Sequence, residues 1–213
     1  MSLAESLSGK SNYVRQRLLL SRELVSCGRV RKFLDVGCGA GTLLSMIGGE
    51  VEKHGVDVLP RAHEMPPGVA YLRHDVKAGL PYPEETFDVV HSSEFIEHLE
   101  DTESFLRECR RVLKTGGRLV VSTPNLHYWR NGIEWFLGNQ FYFVDYCSGQ
   151  LGHVRYFCPK TLSILANRAG FAGISTRTIG DWGGDNVFLA AAARLFQTFS
   201  ASKNLILFLV ATK

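Results

Sequence analysis

The sequence predicts an α/β fold, an open and mostly parallel sheet with helices on both faces. Two observations carry that prediction. The first is a corner, Phe33-Leu34-Asp35-Val36-Gly37-Cys38-Gly39-Ala40-Gly41-Thr42-Leu43. An apolar strand end runs there into a glycine turn, and Leu43, Met46 and Ile47 follow at helical spacing. The second is alternation: short apolar strands and helix-length segments succeed one another along most of the chain, as crossover connections require.

Taken in order, the small and polar residues 1–10 read as loose. Over 12–27, Val14, Leu18 and Val25 fall on one helical stripe, a helix lying across the sheet or over the mouth of a site. Strand one and the glycine turn follow, with a helix stopped by Gly48-Gly49. Strand two, 54–58, carries Asp57 near its end. The crossover after it holds Pro60, Pro66 and Pro67, which leaves room for a helical stub. Strand three, 69–74, runs into Asp75-Val76, and strand four is 87–92.

Asp101 or Thr102 caps the next helix, whose buried stripe is Phe105, Leu106, Cys109, Val112 and Leu113 and which ends in Lys114-Thr115-Gly116-Gly117. Strand five is 118–123. Residues 124–160 are then too long and too aromatic for a plain loop, with Tyr128, Trp129, Trp135, Phe136, Phe141, Tyr142, Phe143 and Tyr146. They read as a small helical cap with its own hydrophobic cluster that also covers a ligand site and forms a pocket there. Thr161 caps a helix closed by Gly170; strand six is 171–179, a last helix 187–199 and strand seven 204–211.

A chain of 213 residues supports one well-buried core, and residues 1–213 read as a single domain. The net charge of +3 neither favours nor excludes an anionic partner, and the basic cluster from Arg107 to Arg118 reads as a solvated helix face. Five cysteines without a CxxC pair indicate free thiols in a reducing compartment. With no run of the ~18–20 apolar residues that a membrane span needs, the expected location is cytoplasmic. No basic, aromatic-interleaved strip marks a nucleic-acid partner.

The glycine corner also discriminates between ligands. A dinucleotide fingerprint wants its third glycine where this chain has Thr42, and it leaves the strand end uncharged for a pyrophosphate. Here Asp35 occupies the strand end, which repels phosphate and suits a cation. Asp57 lies at the distance at which nucleotide-binding α/β folds place a carboxylate for ribose hydroxyls.

This corner resembles motif I of the class I S-adenosylmethionine-dependent methyltransferases. Phe87-Asp88-Val89-Val90, Glu97-His98-Leu99 and Arg111-Val112-Leu113-Lys114-x-Gly116-Gly117 continue the resemblance in order. It implies a Rossmann-like sheet of seven strands with the last inserted antiparallel. It also implies S-adenosylmethionine as cofactor, held by Asp35, Gly37, Cys38, Gly39, Gly41, Asp57, Val58, Asp75, Val76 and Ser93, with Asp75 accepting from the adenine amino group and Val76 packing on the ring.

Methyl transfer from a sulfonium is a direct displacement, so positioning and exclusion of water supply much of the rate. An acceptor hydroxyl also needs its proton removed. His153 is the first candidate base and His127 the second. Glu94-Phe95-Ile96-Glu97-His98 adds a further expectation: in one helical turn Glu94, Glu97 and His98 share a face. They would offer a divalent cation, Mg or Mn, a site with His153 as fourth ligand. The motif resembles those of ubiquinone-biosynthesis catechol O-methyltransferases and small-RNA 2′-O-methyltransferases. The reading is O-methylation of a small aromatic, quinone-like or sugar acceptor. The alternatives are a non-catalytic cofactor-binding partner of a biosynthetic enzyme, or an RNA 2′-O-methyltransferase.

Overall fold

In the computed structural model, described for residues 11–60, 62–128, 131, 152–179 and 204–213, the period-two alternation of the strands builds two hydrophobic layers. Leu34, Val36, Val90, Leu119, Val121, Leu207 and Leu209 point to one face of the sheet. Phe33, Val89, Val120, Ile206 and Phe208 point to the other. Each face therefore has its own apolar surface to cover, and helices cover both.

The strands are β1 (Lys32–Val36), β2 (Glu52–Asp57), β3 (Val69–Arg73), β4 (Phe87–Ser93), β5 (Leu113–Pro124), β6 (Ala172–Ile179) and β7 (Ile206–Thr212). They form one sheet in the order β3-β2-β1-β4-β5-β7-β6. β1 pairs in parallel with both β2 and β4, and β7 runs antiparallel between β5 and β6. The order reverses direction beside β1, which opens a crevice at the strand ends there, the place where open α/β sheets bind ligands.

Helix α1 (Asn12–Val25) and the short α2 (Thr42–Met46) cover the Phe33 face, through Leu24, Val25, Leu43 and Leu44. Helices α3 (Thr102–Val112) and α4 (Pro159–Arg168) cover the Leu34 face with Phe105, Leu106, Cys109, Val112, Leu162 and Ala166. Asp101 caps α3, its Oδ1 accepting from the Ser104 N–H at 2.9 Å. Between β2 and β3 the proline-rich crossover holds a single 3₁₀ turn, Ala62–Glu64, the expected stub.

Three expectations need correction. Strand five begins at Leu113 rather than at residue 118: Lys114-Thr115-Gly116-Gly117 extend it, because the Gly116 N–H donates to the Lys213 carbonyl and Gly117 accepts from the Lys213 N–H. The buried face of α1 is Ser21, Leu24 and Val25, while Val14 and Leu18 are half-buried. Residues 94–98 are not one helical turn. Glu94 adopts φ +50°, and only Ile96–His98 form a 3₁₀ turn, so Glu94 leaves the face that Glu97 and His98 share. The expected helix at 187–199 and most of the aromatic cap, including Trp129, Trp135, Phe136, Phe141, Tyr142, Phe143 and Tyr146, lie outside the described residues.

Cys27, Cys38, Cys109 and Cys158 are free thiols. No helix among the described residues is long and apolar enough to cross a membrane.

Candidate functional site

The glycine turn folds back over the end of β2. The Gly37 and Cys38 N–H groups both donate to the Val56 carbonyl, at 2.8 and 3.3 Å, and Gly41 donates to the Cys38 carbonyl at 2.9 Å. Gly37 has φ +71°, and a Cβ there would lie 2.5 Å from Phe95 Cδ2; glycine is required on both counts. The Cys38 thiol is buried against Gly55, where an added Cβ would approach Sγ to 2.9 Å. Its contribution to the turn is its backbone.

A cleft of about 280 Å³ opens above this turn, lined by Gly37, Asp57, Val58, Asp75, Val76, Phe95, His98 and Gly152 among others. Asp57 accepts from the Gly39 N–H and the Leu59 N–H, both at 2.9 Å, and so ties the turn to the exit of β2. A carboxylate has about four lone-pair positions, so two remain for a ligand. Asp75 caps the 3₁₀ turn Val76–Ala78, its Oδ1 accepting from the Lys77 N–H at 3.0 Å. Val58 is exposed at the rim.

Asp35 is buried on the α1 face of the sheet, its Oδ1 2.7 Å from His91 Nδ1. Beyond the end of β4, Glu94 faces Arg17 of α1 at 3.5 Å, and Ser122 Oγ donates to its Oε1 at 3.3 Å. Burial raises the Glu94 carboxyl above its usual range, with Arg17 and Ser122 opposing. Ser93 Oγ lies 2.7 Å from Ser122 Oγ at the same strand end.

On the other side of the 3₁₀ turn, Glu97, His98 and His153 come together, one ligand atom from each within 4.8 Å of the others. The backbone holds this arrangement: the Glu97 carbonyl accepts from the Val154 and Arg155 N–H groups at 2.9 and 3.1 Å. Glu97 is 1% exposed; its Oε2 accepts from Thr123 Oγ1 at 3.0 Å, and its Oε1 has no hydrogen-bond partner among the described residues. Burial, reinforced by the Glu94 charge, pushes the Glu97 carboxyl well above the ordinary carboxylate range. His153 Nε2 lies 4.0 Å from Glu97 Oε1, and the His98 and His153 rings are 4.9 Å apart. Burial, then the neighbouring His98, lowers the His153 pKa and so favours its neutral form.

Of the residues expected from the sequence, the cleft brings Gly37, Asp57, Val58, Asp75, Val76 and His98 together. Glu97 and His153 join His98 in the cluster, and Glu94 sits apart with Arg17. His127 is exposed in the turn after β5, its N–H donating to Asn125 Oδ1 at 3.1 Å. Arg17 and Phe95 were not anticipated. Arg17 is a polar residue on a helix read for its apolar stripe, and Phe95 stands in a segment read for its carboxylates.

A family model described as a methyltransferase domain matches residues 11–176. A ubiquinone biosynthesis O-methyltransferase from Shewanella is 30% identical over 148 residues, 64% of this chain and 61% of that protein. A probable S-adenosylmethionine-dependent methyltransferase of Mycobacterium tuberculosis is 35% identical over 118 residues, 53% of this chain and 43% of that protein. The chain thus spans roughly half the length of these curated relatives. Among solved structures, a SAM-dependent methyltransferase from Archaeoglobus fulgidus superposes with a TM-score of 0.69 at 19% identity, covering 99% of this chain and 97% of that one. A Rossmann-like sheet with one antiparallel strand, a glycine turn at its switch point and a family match over most of its length make this chain a member of the class I S-adenosylmethionine-dependent methyltransferase family.

Proposed function

We propose that the chain is an active methyltransferase that moves the methyl group of S-adenosylmethionine to an oxygen of a small aromatic, quinone-like or sugar acceptor, in the cytoplasm. In this reading the adenosine lies along the cleft. Asp57 receives the ribose hydroxyls, Asp75 the adenine amino group, and Val58 and Val76 flank the ring. The glycine turn and Cys38 give the close backbone approach, and Ser93 lines the strand end. The amino-acid end of the cofactor carries an ammonium and a carboxylate, and Asp35, two residues before the glycine turn, and Arg17 of α1 are opposite charges that suit them.

The observation that carries the reading is the cleft of about 280 Å³ lined by Gly37, Asp57 and Asp75, with His153 held beside it between Gly152 and Val154, which both line it. S-adenosylmethionine supplies an activated methyl with a good leaving group, so the chain needs to align the acceptor and take its proton. His153 takes the hydroxyl proton; the Glu97 backbone, through Val154, fixes where His153 stands. General bases of this kind contribute about 10²–10⁴-fold. His127, exposed and outside this cluster, is the weaker candidate for the role.

A divalent cation, Mn or Mg, fits the same cluster. A buried carboxylate oxygen with no hydrogen-bond partner among the described residues, beside two imidazoles, is a donor set that suits a cation. With a cation bound, Glu97, His98 and His153 would hold it, His153 would serve as ligand instead of as base, and the cation's chemistry there would be to acidify an acceptor hydroxyl. Incubation with methyl-labelled S-adenosylmethionine and a panel of catechols, hydroxyquinones and sugars tests the reading. Labelled O-methyl product, lost in His153→Gln, supports it. Product in which the label sits on nitrogen or carbon refutes the acceptor class.

A further inference from the structure

Helix α1 meets the sheet through polar groups. Ser21 Oγ lies 3.1 Å from His91 Nε2, and His91 Nδ1 lies 2.7 Å from Asp35 Oδ1. All three are buried, at 1%, 2% and 4% exposure. His91 and Asp35 are direct partners across the β1–β4 ladder, and strand alternation puts both on the face that α1 covers. Such a serine–histidine–aspartate line has the connectivity of a hydrolytic triad, yet Ser21 is buried between its helix and the sheet and does not line the cleft described above. Its consequence is mechanical.

One turn before Ser21 on the same helix face, Arg17 pairs with Glu94, just past the end of β4. Besides its apolar contacts and the outlying Glu23–Arg177 pair with β6, helix α1 is therefore tied to β4 and the segment just past it at two polar points, at His91 through Ser21 and at Glu94 through Arg17. His91 bonds both to the helix that carries the guanidinium and to the carboxylate at the end of β1. A buried imidazole with a partner on each nitrogen has one orientation, and it fixes both neighbours.

We infer that His91 is the positioning residue for the amino-acid end of the cofactor: through Ser21 and Asp35 it sets the spacing between the Arg17 guanidinium and the Asp35 carboxylate. The inference rests on the cofactor reading above. It assigns no contact between His91 and the cofactor. Glycines and strand-end carboxylates hold the adenosine, so the relay should matter to ligands that carry the amino acid and not to those that lack it.

Calorimetric titration with two probes separates the possibilities. S-adenosylhomocysteine carries the ammonium and carboxylate; 5′-methylthioadenosine carries the adenosine and thioether alone. His91→Leu, which cuts both links, should weaken S-adenosylhomocysteine by about tenfold or more, while 5′-methylthioadenosine stays within about twofold. His91→Asn places an amide donor near the position of Nδ1, toward Asp35, and should recover most of the loss. Ser21→Ala, a small change at the outer link, should cost about threefold for S-adenosylhomocysteine alone. A merely structural histidine would lower the melting temperature and leave the ratio of the two affinities unchanged.

Equal weakening of both probes, or no weakening of either, in folded His91→Leu overturns the inference. If that variant does not fold, Ser21→Ala and His91→Asn decide on the same ratio. Failure of the unmodified protein to bind either probe would instead count against the cofactor reading itself.

Discussion

Asp57→Ala probes the cleft where its two duties can be separated. The carboxylate accepts from the Gly39 and Leu59 N–H groups, each at 2.9 Å, and has lone pairs left for two ribose hydroxyls. Removing it releases two backbone donors at a half-buried position, where water replaces part of what is lost. The stability cost is then about 1–2 kcal/mol. The binding cost is separate: hydrogen bonds to a charged group contribute about 1.5–3 kcal/mol, which is roughly 10–150-fold in Kd. Thermal melting of the free protein measures the first, and calorimetric titration with S-adenosylhomocysteine the second. Asp57→Asn is the control, because its amide group opposes one of the two backbone donors and so disturbs the turn even where the side-chain volume is kept. A folded Asp57→Ala variant that binds within about twofold of the original would refute the ribose assignment and leave Asp57 as an anchor of the glycine turn.

Three other predictions follow from the same geometry. His153→Gln should reduce turnover by about 10²–10⁴-fold with little change in S-adenosylhomocysteine affinity. Because the His153 pKa is lowered, the rate in the unmodified protein should hold below the ordinary histidine value near 6.5 and fall as pH drops through the depressed one, which a pH–rate profile reads directly. Asp88 is partly buried, which alone would raise its pKa; Lys114 Nζ at 2.6 Å and the Lys32 and Arg31 N–H groups outweigh this and lower it. Its stabilisation is therefore complete above the ordinary carboxylate range and is lost as pH falls through the depressed folded value. Asp88→Asn should cost about 1–2 kcal/mol at pH 7 and little near pH 2–3, seen in denaturant titrations at both pH values. Gly37→Ala forces a side chain into φ +71° and against Phe95, and should destabilise by more than the ~1–2 kcal/mol of the left-handed backbone alone while closing the cleft to ligand.

The sheet was legible because strand residues alternate so plainly: Phe33, Val89 and Val120 against Leu34, Val90 and Leu119 fill separate layers. Asp57 is legible as a strand-end carboxylate because its distance from the glycine turn is set by one local crossover, whereas Asp75 is picked out by the family resemblance. What escaped the sequence was settled by residues far away along the chain. Gly116 and Gly117 read as a break, but the Lys213 backbone gives them strand partners. Glu94 reads as part of a helical turn, but a left-handed backbone points it at Arg17 instead of at Glu97. Arg17 and Ser21 are two of many polar positions on a helix whose readable signal is its apolar stripe, and their partners Glu94 and His91 lie on β4 or just past its end. Periodicity finds which residues are buried for hydrophobic reasons; it has no signal for polar groups buried by pairing.

The most direct test of the account is titration of the purified protein with S-adenosylmethionine, once with chelator and once with added Mn. The account predicts saturable binding in both, with acceptor turnover that Mn raises and chelator lowers if Glu97, His98 and His153 hold a cation. Binding that is absent under every condition would contradict it, and would leave a methyltransferase fold serving as a non-catalytic partner.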